Sequence, residues 1–171
     1  MSAPRLPLVL RPFLPLVRVW ITQVLAVAEA QAQPLGPELE QLLERHFSPQ
    51  LLRRARRVVV AQLPQPPVPT LGLARLRDFK RGDYAGLTLG ERVFVRADHA
   101  EDAGLMVHEL VHVVQWIRLG REAFVERYAA ELVEFGYGQA PLERMAYAHE
   151  ARFRAGELYD LETEVQRALD G

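Results

Sequence analysis

The sequence contains no cysteine, and Lys80 is its only lysine. Without cysteine there are no disulfides and no thiolate ligands, so a metal ion must be held by His, Asp or Glu. The net charge of -1 provides no general attraction to nucleic acid or to an anionic membrane. The longest uninterrupted apolar run is far shorter than the ~20 residues that cross a bilayer, so no membrane span is expected.

The chain length of 171 residues suits one domain with an added arm. Residues 1–36 are predicted to form an N-terminal arm with an amphipathic helix, and residues 37–171 a single domain. Four prolines in residues 1–15 predict an extended start, because proline disrupts helix interiors. From residue 17 the apolar side chains recur at helical spacing.

The segment 16–32 also resembles a secretory signal, with Arg5 and Arg11 before an apolar stretch and small residues after it. Arg18 and Thr22 interrupt that stretch. A cytoplasmic location is therefore the expectation, and secretion is the alternative.

The pattern of residues 37–63 predicts helical structure followed by a strand at 58–63. Ser48 is expected to be an N-cap, because a proline follows it. Four arginines cluster here: Arg53, Arg54, Arg56 and Arg57. Such a cluster raises a nucleic-acid hypothesis, which predicts binding that weakens steeply with salt. A solvated helix face is favoured instead, because no aromatic or glycine module accompanies the arginines. No nucleic-acid partner is expected.

After a proline-rich linker at 64–70, residues 87–95 alternate around a glycine and predict a β-hairpin. Helices are predicted over 101–119 and 121–135. A third starts at Pro141, pauses near Gly156 and resumes. The fold class predicted is α+β, mostly helical, with a small antiparallel sheet or hairpin packed on the helix at 101–119.

That helix contains the stretch HELVHVVQW at residues 108–116. His108 and His112 are four residues apart, so both face the same side and can share a zinc ion. Glu109 lies at the edge of the site, where a carboxylate can act as general base without binding the metal. Gln115 returns to the histidine face as a polar neighbour.

Catalytic zinc takes three protein ligands, and the sequence leaves the third one open. The extended motif with a third histidine is absent, since position 118 is arginine. One candidate is Glu143, which lies in the first turn of a helix after Pro141, where the helix dipole helps to hold a carboxylate at a fixed angle. The remaining candidates are Glu126, Glu131, Glu134, His149 and Glu150.

Three stretches together, LTLGERVFVR, HELVHVVQW and APLERMAYAHE, resemble the small HExxH domain named after extracellular contractile injection systems. This family has a compact, gluzincin-like (minigluzincin-like) metallopeptidase core, and the resemblance covers about residues 40–155. It implies that His108, His112 and Glu143 are zinc ligands and that Glu109 is the base. Other gluzincins carry an acid four positions after the ligand glutamate, where this sequence has Tyr147.

The expected function is zinc-dependent peptide-bond hydrolysis, with Glu109 as general base toward a zinc-activated water. A peptide or protein substrate is expected to add a strand to the hairpin at 87–95. Tyr137 and Tyr147 are candidates for a transition-state donor or for a supporting neighbour of the ligands. The alternative is a catalytically weak or inactive zinc-binding module for docking or packaging beside a secretion or toxin system. The oligomeric state stays open.

Overall fold

The computed structural model describes residues 4–67 and 84–171. Within these ranges the regular elements are α1 (Leu14–Ala28), α2 (Pro37–Leu43), α3 (Pro49–Arg54), β1 (Arg56–Val60), β2 (Gly86–Leu89), β3 (Arg92–Arg96), α4 (Ala103–Leu119), α5 (Arg121–Phe135), α6 (Pro141–Arg154) and α7 (Leu161–Asp170). The mostly helical α+β class is confirmed. The linker predicted at 64–70 lies partly outside the described residues.

The sheet has three strands in the order β1-β3-β2. Strands β2 and β3 form the predicted antiparallel hairpin, and Gly90 turns between them at a φ of 64°. The sheet as a whole is mixed, because β1 pairs with β3 in parallel. A long connection between β1 and β3 makes the parallel pairing possible, and hydrophobic patterning alone did not reveal it.

Helix α4 is the central element of the fold. Its start is capped by the Asp102 carboxylate, which accepts hydrogen bonds from the backbone N–H groups of Gly104 and Leu105. It ends at Gly120, whose φ of 76° suits glycine. All residues from Met106 to Trp116 are buried, and the helix packs mainly against α6, α7 and β2. The helix that carries residues 108–116 therefore lies at the centre of the hydrophobic core.

The predicted helix boundaries after residue 100 agree closely with α4, α5, α6 and α7. Earlier in the chain the prediction was coarser. The helix expected from residue 37 is divided into α2 and α3, and β1 starts at Arg56 instead of residue 58. Ser48 caps α3 as predicted, by accepting a hydrogen bond from the backbone of Leu51.

The start of the chain differs from the extended arm predicted for residues 1–15. Leu8–Phe13 form a 3₁₀ helix that contains Pro12, and α1 begins at Leu14. Pro7 precedes the 3₁₀ helix and Pro15 lies in the first turn of α1, where proline is tolerated, so Pro12 alone of these three lies in the interior of a helical element. Ile21 and Ala28 on α1 are buried in a cluster with Trp116 of α4.

Leu10–Gln31 form one helical stretch of 22 residues with a mean hydropathy of 1.5 over its best window. By length and composition it qualifies as a membrane span, contrary to the expectation from its short apolar runs, which Arg11 and Arg18 interrupt. Signal sequences near an N-terminus and core helices of soluble proteins meet the same criterion. Of that window, 11% is buried inside the fold.

Candidate metal centre

Two helices bring together three side chains that can bind a metal ion. His108 and His112 lie one turn apart on α4, and Glu143 lies in the first turn of α6, two residues after Pro141. One ligand atom from each side chain lies within 4.8 Å of the others. All three side chains are buried. The residues favoured from the sequence therefore meet at one point.

The spacing of the three side chains suits a single small metal ion. The two Nε2 atoms of His108 and His112 are 3.2 Å apart. The Glu143 carboxylate lies 3.4 Å from His108 Nε2 and 3.3 Å from His112 Nε2. Ligands at ~2.0–2.1 Å from a tetrahedral zinc ion are separated by about 3.3–3.4 Å. Each of the three observed distances is close to this value, with His108 facing Oε2 and His112 facing Oε1 of Glu143.

The two oxygens of the Glu143 carboxylate differ in their hydrogen bonds. Its Oε2 atom is buried and has no hydrogen-bond partner among the described residues. Its Oε1 atom accepts a hydrogen bond of 2.5 Å from the Tyr128 hydroxyl. A buried carboxylate oxygen without a partner is costly, and a cation at this position would remove that cost.

In the metal-free protein these groups titrate as a coupled set. Burial by itself lowers the pKa of His108, but the carboxylates of Glu143 and Glu150 outweigh burial and raise this pKa to about 10. Burial likewise opposes a charge on His112, while Glu143 raises its pKa. Burial raises the pKa of Glu143, yet the two imidazoles hold it well below its usual value. The pocket therefore favours an anionic Glu143 facing positive charge.

Gln115 holds the second histidine in place. Its Oε1 atom lies 2.8 Å from His112 Nδ1, and its side-chain amide donates to the backbone oxygen of Leu142 at 3.0 Å. Gln115 is fully buried, so these two contacts satisfy both ends of its amide. The contact fixes the His112 ring with Nε2 toward Glu143, and it ties α4 to the start of α6.

Glu109 lies beside the three candidate ligands and outside their group. Its Oε2 atom accepts a hydrogen bond of 2.7 Å from Thr88 on β2. Gly86 leaves room for the carboxylate, since a Cβ there would lie 2.3 Å from Glu109 Oε1. Burial raises the pKa of Glu109, although the two histidines and Thr88 act in the opposite direction. A carboxyl with a raised pKa is suited to accept and return a proton near neutral pH.

The other candidates for a third ligand occupy different positions. Glu131 is fully buried, but it accepts hydrogen bonds from the backbone N–H of Leu142 and from Arg127. It thereby fixes the residue next to Glu143. The ring of His149 contacts the Tyr159 hydroxyl at 2.9 Å. Glu126 and Glu134 are exposed on α5. Glu150 lies 3.3 Å from His108 Nδ1, the ring nitrogen on the other side from Nε2.

The two tyrosines singled out from the sequence both lie near the centre. The Tyr147 ring meets His108 edge-on with ring centroids 4.5 Å apart, and 44% of this residue is exposed. Tyr137 packs on Tyr84 with centroids 4.4 Å apart. It lines the same cleft as His112. Tyr147 therefore packs against a candidate ligand, and Tyr137 belongs to the cleft wall.

Sequence reasoning missed two residues of the site, Tyr128 and Thr88. Tyr128 lies one helical turn after Phe124 on α5, and their rings stack at a centroid distance of 5.5 Å. The i,i+4 spacing of these aromatics on a helix next to the motif was an available signal. Thr88 gave no comparable signal, because its contact with Glu109 depends on how β2 packs on α4.

A cleft of about 160 Å³ leads to Glu109, His112 and Glu143. Strand β2 forms one wall and α5 another. The N-terminal segment closes a third side with apolar side chains: Leu6, Leu10, Phe13, Leu14, Val17, Trp20 and Ile21. The approach to the candidate centre is therefore largely apolar.

The arginine cluster at residues 53–57 is partly neutralised by carboxylates. Arg54 forms an ion pair with Glu91. Arg57 forms one with Glu101 at 3.0 Å and donates to the backbone oxygen of Ala100. These contacts favour a solvated, ion-paired surface over a phosphate-binding one.

The sequence matches no protein-family model and no curated protein, and the fold matches no solved structure.

Proposed function

We propose that this protein is a zinc-dependent metallopeptidase of the HExxH, gluzincin-like type. The observation that carries the proposal is the placement of Glu109, a buried carboxylate beside the His108, His112 and Glu143 group but outside it. A metal site with only a structural role has no need of a fourth side chain, a carboxylate held by Thr88 at its edge. A hydrolytic site needs one as general base.

The donor set supports zinc as the metal. Two imidazoles and one carboxylate are a ligand set of catalytic zinc sites, which keep the fourth position open. The sequence contains no thiolate that would favour a softer metal. When bound, zinc would polarise the substrate carbonyl and lower the pKa of a water molecule to about 7.

In the proposed reaction Glu109 moves the proton. Thr88 holds Oε2 of Glu109, which leaves Oε1 to take a proton from the attacking water and return it to the leaving amine. Gln115 and Tyr128 hold His112 and Glu143 in position meanwhile. The apolar cleft excludes bulk water, which strengthens the electrostatic contacts around the reacting carbonyl.

The position of β2 supports a peptide or protein substrate. Within the described part of the sheet, β2 is an edge strand, and its residues Gly86–Leu89 line the cleft next to Glu109. An extended peptide can add to such an edge through main-chain hydrogen bonds. That arrangement would place a substrate carbonyl beside the metal centre, with apolar side chains directed toward Leu87 and Leu89.

A second candidate function is a zinc-binding docking or packaging module associated with a secretion or toxin system. The N-terminal segment favours it, since Leu6, Leu10 and Phe13 close one side of the cleft and restrict access. This alternative requires the metal ligands but not Glu109.

A cleavage assay with Glu109→Gln separates the two functions. The substrate is fluorescein-labelled, heat-denatured casein, and bound zinc is measured on the same samples. Glu126→Gln is the control, because Glu126 is exposed on α5. The peptidase proposal predicts that Glu109→Gln keeps its zinc and loses about 100-fold or more in rate. Equal rates in the variant and the wild type would refute it.

We propose a cytoplasmic location and retention of the N-terminal segment. Helix α1 is supported by its buried Ile21 and by Arg121, which donates to the backbone oxygen of Arg18 and to Thr22. Removing α1 as a signal would expose the apolar surface around Trp116 and Phe124. No nucleic-acid partner is proposed.

A further inference from the structure

His108 has a second ring nitrogen, and its surroundings differ from those of the matching nitrogen in His112. His112 Nδ1 is paired with Gln115 at 2.8 Å. His108 Nδ1 is buried and makes no hydrogen bond with a described residue. An oxygen of Glu150 faces it at 3.3 Å. A histidine that binds metal through Nε2 carries its proton on Nδ1, and that proton needs an acceptor.

We propose that Glu150 is the positioning residue of His108, accepting the Nδ1 proton and turning Nε2 toward Glu143 and His112. The position four residues after Glu143 is Tyr147, which has no carboxylate. Glu150 is seven residues after Glu143, two helical turns along the same face of α6. Glu150, one turn after Tyr147, therefore supplies the carboxylate next to His108.

Glu150 is itself held by Arg154, which connects it to the start of the motif helix. Arg154 lies one turn further along α6 and contacts Glu150 at 2.9 Å. The same guanidinium donates to both oxygens of Asp102, at 2.9 and 3.0 Å. Asp102 caps α4. The ends of α4 and α6 are thus joined by a charged clamp that reaches one ligand ring.

The residue at position 104 supports the clamp. A Cβ on Gly104 would lie 2.2 Å from the Cζ atom of Arg154, too close for both groups to keep their places. The colliding atoms belong to the far end of a flexible side chain, so Gly104→Ala would displace the guanidinium and leave the backbone in place. This variant therefore disturbs the clamp without touching His108 or Glu150.

The proposal rests on the metal site of the proposed function and not on hydrolysis, so the readout is zinc affinity. Zinc is titrated against a chromophoric chelator in full-length wild type, Glu150→Ala, Glu150→Gln and Gly104→Ala. Glu157→Ala is the matched control, because Glu157 lies after the end of α6 and forms an ion pair of 2.7 Å with Arg152 instead of contacting His108. Circular dichroism establishes that each variant is folded.

We expect zinc affinity to fall about 10- to 100-fold in Glu150→Ala, the range for loss of an outer partner of a metal ligand. Glu150→Gln retains an acceptor oxygen and is expected to recover part of the loss. Gly104→Ala is expected to show a smaller fall, and Glu157→Ala none. Wild-type affinity in Glu150→Ala, or an equal loss in Glu157→Ala, would overturn the positioning role. Absence of zinc binding in the wild type would overturn the metal site itself.

Discussion

Tyr128 donates a hydrogen bond of 2.5 Å to Oε1 of Glu143, while Oε2 of the same carboxylate is buried without a hydrogen-bond partner in the described residues. The two oxygens of Glu143 are therefore distinguished before any metal binds. Oε2, which accepts no hydrogen bond from these residues, faces His108 Nε2 at 3.4 Å, and Oε1 also faces His112 Nε2 at 3.3 Å. Tyr128 thus favours a carboxylate that binds the metal through one oxygen.

Replacing Tyr128 with phenylalanine tests this arrangement. The change keeps the ring that stacks on Phe124 and removes only the hydroxyl. Because Oε1 of Glu143 loses its donor, we expect zinc affinity to fall about tenfold, as for other partners of metal ligands. Chelator competition measures the change. Tyr159→Phe, which alters a tyrosine paired with His149, is the control. Unchanged affinity in Tyr128→Phe would show that Glu143 needs no such donor.

Thr88→Val tests the orientation and the pKa of the proposed base. Valine has nearly the shape of threonine but cannot donate the 2.7 Å hydrogen bond to Glu109. That hydrogen bond lowers the pKa of Glu109, so its loss raises this pKa further. Glu109 acts as a base only when deprotonated, and activity falls as the pH drops through its pKa.

In Thr88→Val we therefore expect the acid limb of the kcat/KM profile to move to higher pH, with bound zinc unchanged. The profile is measured with the casein substrate across the acidic and neutral range. An acid limb at the wild-type pH, or loss of zinc, would contradict the assignment of Thr88 to Glu109.

Zinc affinity is expected to rise with pH. In the metal-free protein the pKa of His108 is raised to about 10, so its imidazole carries a proton at neutral pH. A metal ion must displace that proton to reach Nε2, and binding therefore competes with protons. Calorimetry in two buffers of different ionisation enthalpy measures the protons released. Zinc binding without proton release near pH 7 would contradict a protonated His108 in the metal-free protein.

Ile21→Ala tests whether α1 belongs to the folded unit. Ile21 is 2% exposed, and truncation of a buried isoleucine costs about 2–5 kcal/mol of the free energy of unfolding. Val27 on the same helix is 73% exposed, so Val27→Ala is expected to change stability by about 0.5 kcal/mol or less. Urea denaturation compares the two variants. A small effect in both would mean that α1 contributes little to the fold.

Much of the fold was predictable because strong local signals mark its elements. Gly90 turns the hairpin, Gly120 and Gly136 end helices, and Pro141 starts one. The N-terminal 3₁₀ helix was not predicted, because proline density outweighed the apolar spacing. The parallel pairing of β1 with β3 depends on a contact between distant parts of the chain, which local periodicity does not encode.

The candidate site was predictable to a similar degree. The i,i+4 spacing of His108 and His112 places both on one helix face from sequence alone. Glu143 was the favoured third ligand among several acids, and only the packing of α6 on α4 distinguishes it from the others. The contacts of Thr88, Tyr128 and Glu150 each join two elements, so their roles follow from tertiary packing.

The most direct test of the central claim is the metal content of the purified protein. Elemental analysis is applied to wild type, Glu109→Gln, His112→Ala and Glu143→Ala, all folded and prepared without chelators. The account predicts about one zinc per chain in wild type and Glu109→Gln, as a single three-ligand site requires. It predicts a marked loss in the two ligand variants. A wild type without zinc, or full occupancy in His112→Ala and Glu143→Ala, would contradict it.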